Sequence, residues 1–371
     1  MDNFFPAIQL IGAVTFGILA LMLIMSRRYK SPHYYIYRRS EHLLVISQAL
    51  LSVHFIIQFC TGWRLTNPDR AIFVNMIFFP LTGMLMLFAL LNLLRKGDIS
   101  RPEKLWGLWG YLCMTILLVF GGFNRQILPI IETFNSFGYT IMFSIYSLLV
   151  YKEYKNAAVR MDNYFSNDTT SSIRWIVAIC LGLAVCVLCI PFAILSNNGF
   201  LKLVTMISFV IIIVFVNRFI FFGYDVLKMI DHYFEVVEAD SMERQQAEKS
   251  AHKPTEGKKE DMVERAIQSA LHKWQLTGAY TNPDLTIEDV VKQTGMRRAS
   301  IANYLNGTLG LSFRSWLTTI RIDEAKRLML QHPDYSHETI AEMSGFSSRT
   351  YFLKVFKDKE GLTPGEWLKA Q

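Results

Sequence analysis

Near its C-terminus the chain carries Arg349, Thr350, Leu353, Lys354 and Lys357, spaced so that a helix would set them on one side. Tyr351, Phe352, Val355 and Phe356 lie between them and would face inward. Side chains of this kind have a defined chemistry on double-stranded DNA. Arg349 can pair with guanine O6 and N7, worth about 1–3 kcal/mol of discrimination, while Lys357 suits a phosphate. Ser348 stands just before the group. A second, weaker set precedes it: Arg297, Arg298, Ala299, Ala302 and Asn303. Its alanines can touch a thymine methyl but offer no side-chain hydrogen bond, so Arg297, Arg298 and Asn303 are expected to contribute there, partly to the DNA backbone.

A different polar group lies far upstream. Gln48, His54, Gln58 and Asn75 interrupt apolar runs, and His54 and Gln58 are four residues apart on one helical face. Interhelical hydrogen bonding is the plain reading, and a pocket for an unknown signal ligand is the other. The remaining chemistry is thin. There is no paired-carboxylate site, metal-ligand cluster or G-x-S-x-G, so neither an enzyme, a cofactor nor a metal is expected. Cys186 and Cys189 form a C-x-x-C, but inside the run CLGLAVCVLCI, where they read as small hydrophobes.

The two basic faces belong to an internal repeat. EDVVKQTGMRRASIANYLNGTLGLSFRSWL (288–317) aligns with ETIAEMSGFSSRTYFLKVFKDKEGLTPGEWL (338–368). In both copies a small or β-branched residue (Val291, Ala341) is followed four residues later by a glycine (Gly295, Gly345), then an apolar residue and a polar-faced helix. That is the logic of a helix-turn-helix, with the glycines at the turns. Thr286 and Asp289 predict a capping box for the first unit, and Ser336 a cap for the second. Residues 312–331 between them predict a helix about 30 Å long, the scale that sets two reading helices into successive major grooves about 34 Å apart.

The run I-A-x-x-x-G-F-S-S-x-x-Y-F-x-x-x-F-K-x-x-x-G-x-T-P from Ile340 to Pro364, with RIDEAKRL upstream, resembles the DNA-binding domain of the AraC/XylS family. The resemblance covers roughly 265–371. It implies an all-helical fold with two helix-turn-helix units, at about 286–306 and 336–358 of a domain spanning 260–371, and a role in bacterial promoter binding. It also implies that Arg349, Thr350, Leu353 and Lys354 hold positions that often touch bases. The soluble sensory domain usual in the family has no counterpart here.

In its place residues 1–224 hold seven apolar segments, roughly 8–25, 43–60, 71–94, 105–122, 134–151, 173–195 and 200–222, each near the length a bilayer core requires. The whole chain is 51% hydrophobic and only 19% charged, with a mean hydropathy of +0.24, which a single soluble domain would not show. Its net charge of +7 is spread largely over connections. Lys and Arg concentrate in the odd ones (Arg27, Arg28, Lys30, Arg38, Arg39; Arg95, Lys96, Arg101, Lys104; Lys152, Lys155, Arg160), which predicts the N-terminus outside and the C-terminus in the cytoplasm. The expected location is therefore the inner membrane, multi-pass. Residues 225–259 form a linker, in which Leu227, Ile230, Phe234 and Val237 trace a candidate dimer seam, with an alternative as a helix lying against the bundle. A joint containing Pro254 and Gly257 follows, and the sequence permits proteolysis there.

The fold class expected is all-α, a seven-helix transmembrane bundle followed by a double helix-turn-helix domain. The function expected is a membrane-tethered transcription regulator of the one-component kind. Its expected partners are promoter DNA, membrane lipid, RNA polymerase and a second copy in a homodimer. The competing expectation is a receptor or transporter whose C-terminal module binds a protein.

Overall fold

The computed structural model describes residues 4–25, 34–95, 101–124, 126–167, short pieces between 174 and 215, and 258–371. The described residues are helix and turn throughout, apart from one isolated antiparallel bridge between Phe165 and Thr286. The chain divides into two compact units, Met1–Lys155 with Ser172–Asp231, and Asn156–Ser171 with His232–Gln371.

The first unit contains α1 (Phe4–Ile24), α2 (Tyr34–Thr61), the single turn α3 (Trp63–Thr66), α4 (Pro68–Leu94), α5 (Arg101–Gly122) and, up to Lys155, α6 (Leu128–Asp162), whose last residues belong to the second unit. Four of the seven expected spans are found as helices long and apolar enough to cross a membrane: Pro6–Ile24, Tyr34–Thr61, Asp69–Leu94 and Leu105–Gly122. The fifth segment, 134–151, is helical within the 35 residues of α6. Its tyrosines, serines and Asn135 leave it less apolar than those four. The sixth and seventh, the C-x-x-C, and the seam at Leu227, Ile230, Phe234 and Val237 lie outside the described residues, apart from fragments of the two spans.

Apolar side chains cover much of the outside of this unit, and polar groups lie among the apolar residues within it. Ile130, Phe134, Phe137, Ile141, Ile145 and Leu148 make an exposed stripe along α6, and Trp106, Trp109, Ile116 and Phe120 make one along α5. The polar groups point inward and tie helix to helix. Asn92 Nδ2 donates to Ile36 O (3.2 Å) and Ser40 Oγ (3.0 Å), Ser47 Oγ to Thr82 O (3.0 Å), and Tyr111 OH to Ile77 O (3.0 Å). Glycines allow close approach between α4, α5 and α6. A methyl added at Gly83 would fall 2.5 Å from the Phe143 ring, and one at Gly107 would fall 2.5 Å from the Tyr146 hydroxyl. Small residues where backbones meet, with polar side chains as ties, are how helices associate when the surroundings are as apolar as they are.

The second unit contains α7 (Lys258–Gln275), a 3₁₀ turn (Ala279–Thr281), α8 (Ile287–Thr294), α9 (Arg298–Asn303), a π turn (Tyr304–Thr308), α10 (Phe313–Gln331), α11 (His337–Met343), α12 (Arg349–Glu360) and α13 (Pro364–Lys369). Its apolar residues gather into two cores. Ile267, Leu271, Trp274, Leu285, Ile287, Val290, Ile301, Leu305 and the N-terminal part of α10 form the first. Ile340, Ala341, Phe346, Phe352, Phe356 and the C-terminal part of α10 form the second. The long helix is thus the spine of both halves, and at 19 residues it spans about 28 Å.

Candidate nucleic-acid interface

Each half of the second unit is built by the same local rules. The Thr286 hydroxyl accepts from Asp289 N (3.4 Å) while the Asp289 carboxylate accepts from Thr286 N (2.9 Å), so α8 starts at the capping box the sequence predicted. It stops at Gly295, φ +69. Ser336 Oγ accepts from Thr339 N (3.1 Å) to start α11. The following turn passes through Gly345 at φ +87. Left-handed backbone of this kind favours glycine, because any Cβ crowds the carbonyl that follows. Met296 and Phe346, one residue beyond each glycine, turn back into their cores.

The two halves are held to one another by Arg321. This residue of α10 is 1% exposed, and its Nε donates to Tyr280 O (2.8 Å) and its Nη2 to Asn282 O (2.6 Å). Burial pulls the guanidinium down to about 10, which still leaves it charged at neutral pH. The residue it straddles, Thr281, lies against the turn of the second half, where a methyl on Gly345 would meet Thr281 Cα at 2.7 Å. A spine helix, a pinned 3₁₀ turn and a glycine thus set the spacing and phase of the two reading helices. Sequence reading missed this node. The signal was an arginine at a position where apolar residues recur along the helix (Leu317, Ile320, Arg321, Ala325, Leu328).

The predicted reading residues are distributed unequally. On α12, Arg349, Thr350, Lys354 and Lys357 are exposed together, and Leu353 is half-buried against the second core. Ser348 is exposed too, but its hydroxyl caps the helix by accepting from Tyr351 N (3.3 Å). In the first half, Arg297 and Asn303 are exposed, whereas Arg298, Ala299 and Ala302 are half-buried. Ala302 packs on the first core. Arg298 lies 3.5 Å from the Glu288 carboxylate and 5.4 Å from the centre of the Tyr164 ring.

Of the upstream polar group, the structure joins Gln58 to Asn75. Gln58 Nε2 donates to Asn75 Oδ1 (3.3 Å) and to Ala71 O (3.1 Å). His54 is buried among Phe55, Phe78 and Phe79. Gln48 is also buried, and its amide has no partner among the described residues.

Comparison with known proteins supports the same division. A helix-turn-helix family profile matches residues 290–370, both halves and the spine between them. The C-terminal segment is an AraC-type helix-turn-helix domain. Over 107 residues the chain is 28% identical to the "Transcriptional activator NphR" of a Rhodococcus species, covering 29% of this chain and 29% of that protein. Over 86 residues it is 31% identical to the "Regulatory protein PocR" of Salmonella typhimurium, covering 23% of this chain and 28% of that protein. An uncharacterised HTH-type transcriptional regulator of Bacillus subtilis, YisR, is 32% identical over 84 residues, 23% of this chain and 29% of its own length. The chain therefore spans under a third of the length of these relatives. No solved structure matches.

Proposed function

We propose that this chain is a membrane-tethered transcription regulator that binds promoter DNA through the two helix-turn-helix units, from a C-terminal domain on the cytoplasmic side of the inner membrane. The observation that carries the DNA reading is the α12 face, where Arg349, Thr350, Lys354 and Lys357 stand exposed on a helix fixed by a glycine turn and a buried core. Residues 258–371 hold 16 Lys plus Arg against 14 Asp plus Glu, so attraction to phosphate comes from this clustering rather than from net charge. Arg349 reads a base edge, Thr350, Leu353 and Lys354 flank it, and Lys357 meets backbone. Arg297, Arg298 and Asn303 supply the contacts of the first unit. The resemblance to regulators named as acting on transcription supports control of RNA polymerase at the bound promoter.

The membrane reading rests on the apolar exterior of the first unit and the polar ties between its helices. Exposed apolar stripes on α5 and α6 would be costly against water and suit lipid. The polar ties inside suit helices that have no hydrophobic drive to associate. A signal felt at the buried group of Gln48, His54, Gln58 and Asn75 would shift helix packing and so promoter occupancy. Pairing of two copies through 227–237 would raise the effective concentration of domains on paired sites. The test is genome-wide crosslinking of the full-length protein beside an Arg349→Ala/Lys354→Ala variant, with fractionation of the same cells. Promoter peaks from a membrane-fraction protein, absent in the variant, are expected. Peaks unchanged in the variant, or protein found only in the soluble fraction, refute the reading.

A further inference from the structure

The second unit contains a short piece of chain that its sequence position gave no reason to expect. Residues 161–167, which follow directly from α6, lie against the start of the first helix-turn-helix unit. Ser166 N donates to Leu285 O (3.1 Å) and Ile287 N donates to Tyr164 O (3.1 Å), the pair of bonds flanking the Phe165–Thr286 bridge. Ser166 Oγ donates to Pro283 O (2.9 Å), and Asn167 Nδ2 to Asp284 Oδ1 (3.3 Å). The Tyr164 side chain is buried in the first core beside Leu285 and Ile287.

This segment touches α9 directly and reaches α12 only through Arg314 of α10. Tyr164 offers its ring to Arg298, the first residue of α9, whose guanidinium also faces Glu288. Asp162 Oδ1 lies 2.8 Å from Arg314 Nη1, and Arg314 Nε donates to the hydroxyl of Tyr351 on α12 (2.9 Å). The Arg298 side chain retains only 15% of its exposure. A phosphate or base reaching it has to displace a ring and a carboxylate together. The attachment is nevertheless small: two backbone bonds and a few side chains, joining positions more than a hundred residues apart. A pairing this short is marginal alone, and it opens by withdrawing Tyr164 from the edge of the first core while the helices of both halves stay in place.

We propose that residues 161–167 are an intramolecular clasp that docks on the first helix-turn-helix unit and withholds Arg298 from DNA, so that its release raises DNA affinity. The proposal rests on the DNA-binding reading above and adds the surface through which that binding is restrained. The occupant is this chain's own segment. The Lys152, Lys155 and Arg160 bias that argues for a cytoplasmic connection places the clasp on the side where the domain must be.

Phe165 and Thr286 are partners in the non-hydrogen-bonded register of an antiparallel pair, where Cα atoms are about 4.5 Å apart, within disulfide range. The experiment is a Phe165→Cys/Thr286→Cys pair in full-length protein in lipid nanodiscs, with the five native cysteines replaced. The probe is a 25-bp duplex selected from a random pool by the reduced protein, the length being about two and a half turns. If the clasp is open about a tenth of the time, locking removes the binding that depends on Arg298 and full release tightens that binding by about tenfold. The oxidised pair is therefore expected to bind at least tenfold more weakly than its own reduced form. Asp162→Asn, which loosens one edge without touching either core, is expected to bind a few-fold more tightly than the parent. Hydrogen exchange in α10 confirms that each variant is folded. Equal affinity of oxidised and reduced forms, tighter binding by the oxidised form, or failure of the cysteines to join under mild oxidant each overturns the clasp. Binding absent from every folded form, reduced Asp162→Asn included, overturns the DNA-binding reading itself and the clasp with it. Weak binding confined to the locked form leaves that reading standing.

Discussion

Replacing Gly345 by alanine should cost far more than the same change at Gly295, although both glycines end the first helix of a helix-turn-helix unit at positive φ. The shared part is backbone strain, about 1–2 kcal/mol for an L-residue held in the left-handed region. Reduced freedom of the unfolded chain offsets about 0.4–1 kcal/mol of it at each site. At Gly295 nothing lies within 4 Å of the added methyl, so the net loss there is about 1 kcal/mol or less. At Gly345 the methyl meets Thr281 Cα at 2.7 Å and its carbonyl carbon and oxygen at 2.8 Å. Those are backbone atoms, and Arg321 grips the carbonyls on either side of them. Overpacking against atoms that cannot step aside adds about 1–3 kcal/mol, giving about 2–4 kcal/mol in all. Hydrogen exchange of the full-length protein, followed on peptides from α12, reads this directly as loss of protection. Gly345→Ala should lose roughly ten- to a hundredfold more protection than Gly295→Ala, at about 1.4 kcal/mol per tenfold. Equal losses at the two sites would refute the argument, because they would mean that the pinned turn yields and that strain alone sets the cost.

Arg321→Met should remove the charged donor from the Tyr280 and Asn282 carbonyls, at about 1.5–3 kcal/mol each, and a double-mutant cycle with Gly345→Ala should be sub-additive because the turn is then free to move. Glu366, held below the usual carboxylate range by the Thr363 hydroxyl and backbone amide, closes the capping box of α13. Its stabilisation is present above about pH 4.5 and lost as pH falls through the lower folded-state value, so Glu366→Gln should abolish an acid-induced step in α13 amide exchange while leaving neutral behaviour nearly unchanged. On DNA, Arg349→Ala should cost about 1–3 kcal/mol and relax specificity at a single base pair. Lys357→Ala should weaken all sequences alike and lower the salt slope by about one, and a sequence-selective loss at Lys357 would reassign it to base contact.

The parts of the domain legible in the sequence are those governed by local rules. A hydroxyl three residues before an acid predicted the α8 capping box, Ser336 predicted the α11 cap, and glycines four residues after Val291 and Ala341 predicted both turns. Each is decided within one turn of helix, so a window of a few residues contains the whole cause. Arg321 and the clasp were not legible for the opposite reason. Arg321 looks like one more charge on RIDEAKRL, and only the fold brings the carbonyls of Tyr280 and Asn282 to its guanidinium. Residues 161–167 carry no periodicity at all. They become structural because Leu285–Ile287 exposes one edge of backbone that they can pair with. In the first unit, length and hydropathy sufficed for four helices, while α6 mixes aromatic, hydroxyl and amide residues that blur its apolar signal.

The inequality of the two reading faces has a mechanical consequence. A domain that reads with both helices equally gains specificity from each, and losing one engagement leaves the other to hold the site. Here the exposed cations of α12 form one cluster, while the first unit has Arg298 turned onto Tyr164 and Glu288 and two alanines half-buried. On the proposed DNA reading, sequence discrimination is carried chiefly by the second unit, and the first supplies a contact that can be added or withdrawn. Because the two cores share α10 and Arg321 fixes the phase between the halves, withdrawing the first unit's contact would not disturb the second. Occupancy of weak sites, which need both units, therefore responds to the first unit far more than occupancy of strong ones. A regulator arranged this way stays near its promoters while the restraint on Arg298 decides which of them it fills.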